Sequence, residues 1–236
     1  MKKIHFLHLK NTSIYDQLQI EEALLRADQG SFCIINEGSS QAIVMGISGK
    51  PEELVEKSLW EKNPIPLIKR FSGGGCVLVD HNTLFVTFIF SKELVDIPVF
   101  PEPILRWSER FYQSAFEMPE FTLRENDYVV GKHKLGGNAQ YIKKGRWLHH
   151  TSFLWDYNPQ HMNMLSFPKK TPSYREKRAH SEFLCKLKDH LSDKDQFING
   201  ITTELSKRFE IKSLSLEEAL KVRQEPHRKS TQFLQM

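Results

Sequence analysis

The chain has 236 residues, 39% of them hydrophobic and 26% charged, with a formal net charge of +4. That length holds one large domain or two small ones with a full core, and the mildly basic balance falls short of the dense basic face of a dedicated nucleic-acid binder. Three widely spaced cysteines (Cys33, Cys76, Cys185), a leader broken by His5 and His8, and no run near the roughly 20 apolar residues of a membrane span point to a cytoplasmic protein without disulfide framework, secretory signal, membrane or nucleic-acid partner.

Residues 4–9 alternate as a first strand. Residues 14–27 carry apolar positions at helical spacing behind the N-cap candidates Asn11, Thr12 and Ser13, and Gly30 ends that helix. Residues 32–35 and 42–47 read as two strands separated by a polar turn. Pro51 opens a helix with Glu52 and Glu53 in its first turn, running to about residue 62. After a strand through residues 83–90 and a Pro-punctuated connection comes a helix over 104–116. Short strands with tight turns follow over 121–141, and a longer strand over 146–157. Residues 159–178 read as a polar, basic loop with a short helical piece. Beyond it, residues 180–191, 196–209 and 216–223 read as helices, and the last ten or so residues as a loose tail. Basic residues gather modestly at 169–178 and 227–229, where a solvated surface is the plain reading. Hairpin-like strand groups with interspersed helices predict an α+β fold, a mixed and largely antiparallel sheet flanked by helices.

The pattern is organised around residues 68–90, IKRFSGGGCVLVDHNTLFVTFIF. Lys69 and Arg70 precede Ser72 and three glycines, Gly73, Gly74 and Gly75. Consecutive glycines forfeit packing but permit positive φ and let bare N–H groups approach a ligand, and two cations beside them suit an anion. A hairpin turn would use the same glycines. Residues 126–140, NDYVVGKHKLGGNAQ, again pair cations (Lys132, Lys134) with Gly136, Gly137 and the small Ala139. A lysine beside an opened backbone suits charge stabilisation between a carboxylate and a phosphate. His149 and His150 are adjacent, so on a strand they point to opposite faces and cannot share one metal ion. Neither a P-loop nor a G-x-G-x-x-G is present.

Taken together these stretches resemble the lipoate–protein ligase family of the biotin/lipoate ligase superfamily. The matching blocks are Lys69-Arg70-Phe71-Ser72-Gly73-Gly74-Gly75-Cys76-Val77 and Asp80, then Asn126-Asp127-Tyr128-Val129-Val130, Lys134-Leu135-Gly136-Gly137-Asn138-Ala139-Gln140, and His149-His150-Thr151-Ser152-Phe153-Leu154. They agree in order and spacing over residues 14–155. The resemblance implies a biotin/lipoate ligase-like catalytic domain spanning residues 1–236, helical after about 159, with no separate C-terminal accessory domain. It implies an enzyme that uses ATP and Mg²⁺ to convert lipoate or octanoate to the acyl-adenylate. The acyl group then passes to a lysine of an acceptor: the lipoyl domains of 2-oxoacid dehydrogenase complexes or the glycine cleavage H protein, with or without a separate accessory subunit.

By the same matching, Lys134 is the catalytic contact to the carboxyl end and α-phosphate, and Arg70 with Ser72, Gly73, Gly74 and Gly75 lines the tunnel and holds the adenylate. Asp127, with Asn126 beside it, is the Mg²⁺ or phosphate-side residue; Gly136, Gly137 and Ala139 border the substrate; His149 or His150 positions the reacting groups; and Val77 and Leu135 wall the aliphatic tail. Residues 169–175 fall where the family places a mobile adenylate-binding loop, which suggests a lid.

The chain departs from the pattern at Val79, where the family has histidine, at Asn82-Thr83, at Thr151 in place of glycine, and in the segment Gly46-Ile47-Ser48-Gly49-Lys50, which lacks a glutamine. An ATP-independent octanoyltransferase or amidotransferase on the same fold needs a cysteine nucleophile just upstream of Asn126, where the sequence has none. A non-catalytic lipoate-binding module is the remaining alternative.

Overall fold

The computed structural model describes residues 1–167 and 171–236. Lys169 and Lys170 of the expected lid lie outside the described residues. Its strands are β1 (Lys2–Lys10), β2 (Phe32–Glu37), β3 (Ala42–Met45), β4 (Leu67–Lys69), β5 (Cys76–Val79), β6 (Thr83–Ser91), β7 (Phe121–Arg124), β8 (Asp127–Val130), β9 (His133–Lys143), β10 (Arg146–Leu154), β11 (Phe209–Ser213) and β12 (Gln232–Leu234). The helices are α1 (Ile14–Arg26), α2 (Pro51–Leu54), α3 (Lys57–Trp60), α4 (Pro101–Phe116), α5 (Pro159–Met162), α6 (His180–Phe183), α7 (Lys194–Arg208) and α8 (Leu216–Gln224).

Eight strands form one sheet in the order β11-β1-β2-β6-β10-β9-β8-β7, and four form a second, β12-β4-β3-β5. In the large sheet only β1 pairs in parallel, with β11 and β2; from β2 to β7 every pairing is antiparallel. The expected mixed, largely antiparallel α+β architecture is what the chain adopts. Strand β6 explains why no clean alternation marks its sequence. Leu84, Val86, Phe88 and Phe90 face a core that includes Trp107 and Phe111 of α4 and Phe197 of α7. Phe85 and Ile89 face the opposite side, toward α1 and the small sheet. A strand buried on both faces reads as a continuous apolar run.

Helix α1 begins at Ser13, whose Oγ accepts from the Asp16 N–H at 3.1 Å, and ends at Arg26 with Ala27 as cap, three residues before Gly30. The helix expected over 51–62 is two short turns, because Val55 is extended and bridges Leu165. The helix expected over 180–191 stops at Phe183. The tail is not loose: β12 pairs with β4, Phe233 stacks on Tyr15 with centroids 4.0 Å apart, and buried Glu22 accepts from the Ser230 and Thr231 N–H groups at 3.0 Å. Among the described residues no helix is long and apolar enough to cross a membrane.

Candidate active site

Both sheets and α1 enclose a cavity of about 620 Å³, within the range of small-molecule sites. Its inner walls are apolar: Ile14 and Leu18 from α1, Val44, Val77 and Val79 from the small sheet, and Phe85 from β6. Val79, which stands where the family has histidine, is part of that wall. A buried carboxylate lies behind it. Glu21 lies one turn beyond Leu18 and is fully buried. Its Oε1 accepts from Gln17 Nε2 at 2.8 Å, Thr87 Oγ1 at 2.7 Å and His150 Nδ1 at 3.0 Å. A carboxylate held by three donors is a satisfied buried acceptor. Because Nδ1 serves Glu21, the Nε2 of His150 is left without a partner among the described residues, and His150 lines the cavity.

The triglycine loop crosses the middle of the cavity. It hangs on the end of β3: Gly46 and Ile47 donate their N–H groups to Gly75 O at 3.1 Å and Ser72 O at 2.9 Å. The approach is so close that a Cβ on Gly46 would sit 2.2 Å from Gly74 O. Gly74 adopts φ +107°, a conformation only glycine takes without strain. Arg70 fills the loop from beneath, with Nη2 donating to Gly73 O at 2.8 Å and Gly75 O at 3.1 Å. Burial lowers its pKa to about 10. Arg70 therefore lines the cavity but spends its donors on the loop, as a backbone brace.

Lys134 projects from the other side. Strand β9 slips in register against β8, with Tyr128 opposite Gly136 and Val129 opposite Lys134, so Leu135 is an extra residue that turns into the core. Such a bulge re-aims its neighbours. The Lys134 ammonium lies 2.7 Å from Asp127 Oδ1. A Cβ on Gly137 would sit 3.7 Å from that nitrogen, so the glycine leaves room beside the charge. Asp127 Oδ2 accepts from Tyr174 Oη at 2.9 Å, and Glu125 Oε1 accepts from Ser173 N at 2.7 Å. The segment Ser173–Arg175 thus docks over the mouth through two carboxylates.

Gly74, Gly75 and Lys134 face one cavity, together with Arg70, Val77, Asn126, Asp127, Gly136, Gly137, Ala139 and His150. Ser72 and Gly73 do not line the cavity and act through their carbonyls, which accept from Ile47 N–H and the Arg70 guanidinium, and Leu135 is core rather than wall. His149 occupies the opposite face of β10, fully buried. Its Nδ1 accepts from Gln140 Nε2 at 3.1 Å, and its Nε2 donates among Ser108, Tyr128 and Thr151 at 3.1–3.2 Å. Burial pushes its pKa down to about 3. Thr151, where the family has glycine, donates to Asn138 Oδ1 at 2.9 Å, and Asn138 Nδ2 donates to Asn126 O at 3.0 Å, so that departure braces the cavity rim. Ile14, Leu18 and Glu21 escaped the sequence reading. Their spacing of four and three along α1, with a carboxylate on the apolar stripe, was the available signal.

Among the described residues no three histidine, cysteine or carboxylate side chains gather as a cation site. Asp127 is one carboxylate with both oxygens engaged. Mg²⁺ at this mouth would be held by Asp127, with Glu125 also lining the cavity, and would draw its other ligands from phosphate and water, a common way for this ion to bind.

Comparison with known proteins matches these features to a family. Residues 13–210 match the family described as lipoyl protein ligase A/B catalytic domain. Among curated relatives, inactive lipoate–protein ligase 2 of Plasmodium falciparum is 29% identical over 81% of this chain, and lipoate-protein ligase LplJ of Bacillus subtilis is 29% identical over 66% of it. The chain spans 66% and 48% of those relatives' own lengths. Among solved structures, a putative lipoate protein ligase from T. acidophilum with bound lipoic acid superposes with a TM-score of 0.76 at 16% identity, covering 94% of this chain and 93% of that one. A lipoate-protein ligase A bound with ATP gives 0.75 at 18%, covering 94% and 93%. A bipartite lipoate protein ligase from Thermoplasma acidophilum, solved in a study that includes its E2 lipoyl domain, gives 0.76 at 18%, covering 94% and 91%. With a family match over most of its length and a shared fold, the chain belongs to the lipoyl protein ligase A/B catalytic-domain family of the biotin/lipoate ligase superfamily.

Proposed function

We propose that this protein uses ATP to activate lipoate or octanoate as the acyl-adenylate and transfers the acyl group to a lysine of a lipoyl acceptor domain. The observation that carries this reading is one cavity whose apolar arm, between α1 and the small sheet, opens onto the Lys134 ammonium and the glycine loop. An aliphatic acid fits that arm with its carboxylate at the polar end. There one carboxylate oxygen attacks the α-phosphorus of ATP, the bond to the β-phosphate's bridging oxygen breaks, and pyrophosphate leaves with the electron pair. Two anions must meet for this to happen, and Lys134 supplies the charge that offsets their repulsion. Asp127 holds its ammonium in register until substrate oxygens replace the carboxylate. Mg²⁺, carried on the phosphates beside Asp127, would supply further charge neutralisation. In the second step the acceptor lysine's amine attacks the acyl carbon, AMP departs, and the nitrogen loses a proton. Lipoyl domains are the proposed acceptors, in keeping with the bipartite relative, and a separate accessory subunit is a proposed helper.

The cysteines argue against the transferase alternative. Cys76 lines the cavity, but burial raises its thiol pKa to about 12, and burial raises that of Cys185 to about 11. Neither is a ready thiolate nucleophile. The non-catalytic alternative draws support from the relative named inactive, and the same experiment decides between them. Lipoate-dependent ATP–pyrophosphate exchange is expected from the wild type. Lys134→Ala should reduce it at least a hundredfold (about 2.7 kcal/mol of lost charge stabilisation) with the fold intact by circular dichroism. No exchange in the wild type with either acid would favour the binding module, and undiminished exchange in the variant would remove Lys134 from its role.

A further inference from the structure

Arg175 is buried in a way the described contacts do not explain. Its side chain is 4% exposed and lies along the cavity wall. The guanidinium sits over the rings of Phe167, at 4.1 Å from the centroid, and Phe183, at 4.9 Å. Nε donates to Arg178 O at 3.0 Å, while Nη2 is buried with no partner among the described residues. Aromatic faces favour the charge, yet they satisfy no in-plane N–H. A buried guanidinium carries a desolvation cost that an ion pair ordinarily offsets. The nearest such carboxylate, Asp127, is already bonded to Lys134 and Tyr174.

The neighbours differ. Arg178, three residues on, donates to the carbonyls of Tyr174, Arg175 and Lys132 at 2.8–3.1 Å and so builds the turn itself. Arg146 also has unpartnered nitrogens, but its Nη2 serves Leu24 O and Gly30 O at the end of α1, away from the cavity. Among the described residues only Arg175 combines a buried, unpartnered guanidinium nitrogen with the cavity wall. The chain after it is held in an unfavourable form: Glu176 and Lys177 both take left-handed φ, 53° and 60°. Left-handed φ at a non-glycine residue is strained, and strain of this kind collects at ligand clamps. His180 lines the same wall, its pKa pushed down to about 4 by burial, then by Arg175 and Lys134.

We propose that Arg175 is the phosphate-binding residue for the part of the nucleoside triphosphate beyond the α-phosphorus, its Nη groups, which have no hydrogen-bond partner among the described residues, turning to the pyrophosphate that departs in adenylation. The proposal rests on the ligase reading above. Ser173 and Tyr174, bonded to Glu125 and Asp127, hold the backbone that presents it, so the residue is poised before ligand arrives. Planar, paired N–H donors match the oxygens of a phosphate chain better than an ammonium does.

The test compares wild type, Arg175→Met and Arg175→Lys by calorimetric titration with inorganic pyrophosphate plus Mg²⁺ and, separately, with AMP. Methionine keeps much of the packing between Phe167 and Phe183 while removing charge and donors. Pyrophosphate affinity is expected to fall at least tenfold in Arg175→Met and to recover partly in Arg175→Lys. AMP affinity should stay within twofold and the thermal midpoint of the free protein should not drop. Equal pyrophosphate affinity in all three proteins, a parallel loss of AMP binding, or a lowered midpoint in Arg175→Met would overturn the assignment, as would a wild type that binds no pyrophosphate. Exchange measured with lipoate reads the ligase reaction separately. Its absence alongside a lost pyrophosphate site in Arg175→Met would remove the acyl substrate and leave the phosphate residue standing.

Discussion

At its inner end the cavity is walled by Ile14, Leu18, Val44 and Phe85, and the carboxylate behind that wall, Glu21, is held by three donors. At its mouth the polar groups are differently disposed. Lys134 and Asp127 lean on each other, the Arg175 Nη2 has no partner among the described residues, and Glu125, Glu176 and Lys177 occupy left-handed φ. The contrast shows where binding energy is stored. A largely apolar wall gains little that is specific from a charged ligand and sorts by shape, which suits an aliphatic chain. A rim with unspent donors and strained turns is completed only when an anion enters.

The strongest way to break that contrast is to unsatisfy the inner end. Glu21→Ala would strand Gln17 Nε2 and leave Thr87 Oγ1 and His150 Nδ1 only each other, at 3.0 Å, around a fully buried position. Removing one partner of a buried charged network costs about 3–5 kcal/mol. For a chain of this size that is a fall of roughly 10 °C in unfolding midpoint. Glu21→Gln, which keeps an acceptor, should lose far less. A drop under about 1 kcal/mol for Glu21→Ala in urea titration would mean that water enters, and the inner end would then be no drier than the mouth.

The same contrast accounts for what could be foreseen in the chain. Glycines beside cations declare themselves by composition, so the loop at Gly73–Gly75 and the Lys134 block were legible, as was the sheet class. That Arg70, which lines the cavity, also turns its guanidinium onto the Gly73 and Gly75 carbonyls could not be foreseen, because nothing in a sequence reveals which carbonyls a loop turns inward. Strand alternation put His149 and His150 on opposite faces, but choosing the inward one requires knowing that α1 covers one face and α4 the other. The tail looked loose because Gln232–Leu234 has no local reason to be a strand. Its partners, β4 and Glu22, are far away in sequence. The helix after Pro51 broke at Val55 for a similar reason, a bridge to Leu165. Long-range pairing overrode local propensity in each case.

Acid separates the two regions by a second route. His149, behind the sheet, has its pKa pushed from 6.5 to about 3 by burial, and His180 at the mouth is lowered to about 4. A histidine depressed in the folded state is protonated first in the unfolded chain. Its contribution is therefore present in full above the unfolded value and lost as pH falls from 6.5 toward the folded one. Each such group adds a slope of up to about 1.4 kcal/mol per pH unit in that window. Urea unfolding of His149→Gln between pH 6.5 and 4 should show a shallower loss than wild type. Identical slopes would show that His149 does not stay neutral in the folded protein.

The mildest perturbation sharpens the reading of the mouth. Tyr174→Phe keeps the ring against Phe183 and beneath the Arg124 guanidinium, 4.8 Å from its centroid, and removes only the hydroxyl that Asp127 accepts. One such bond is worth about 1 kcal/mol net, and the remaining tie, Ser173 to Glu125, still tethers the segment. If Tyr174 merely packs, the substitution leaves nucleotide binding as it was. If it fixes the turn that presents Arg175, each ATP must order that turn itself, and the KM for ATP should rise roughly fivefold. The maximal exchange rate should stay near wild type, since once ATP is bound the turn is in place. A fall in kcat with KM unchanged would instead place the hydroxyl's effect on Asp127 and Lys134, and the mouth would be tuned at the reacting atoms rather than at the phosphate tail.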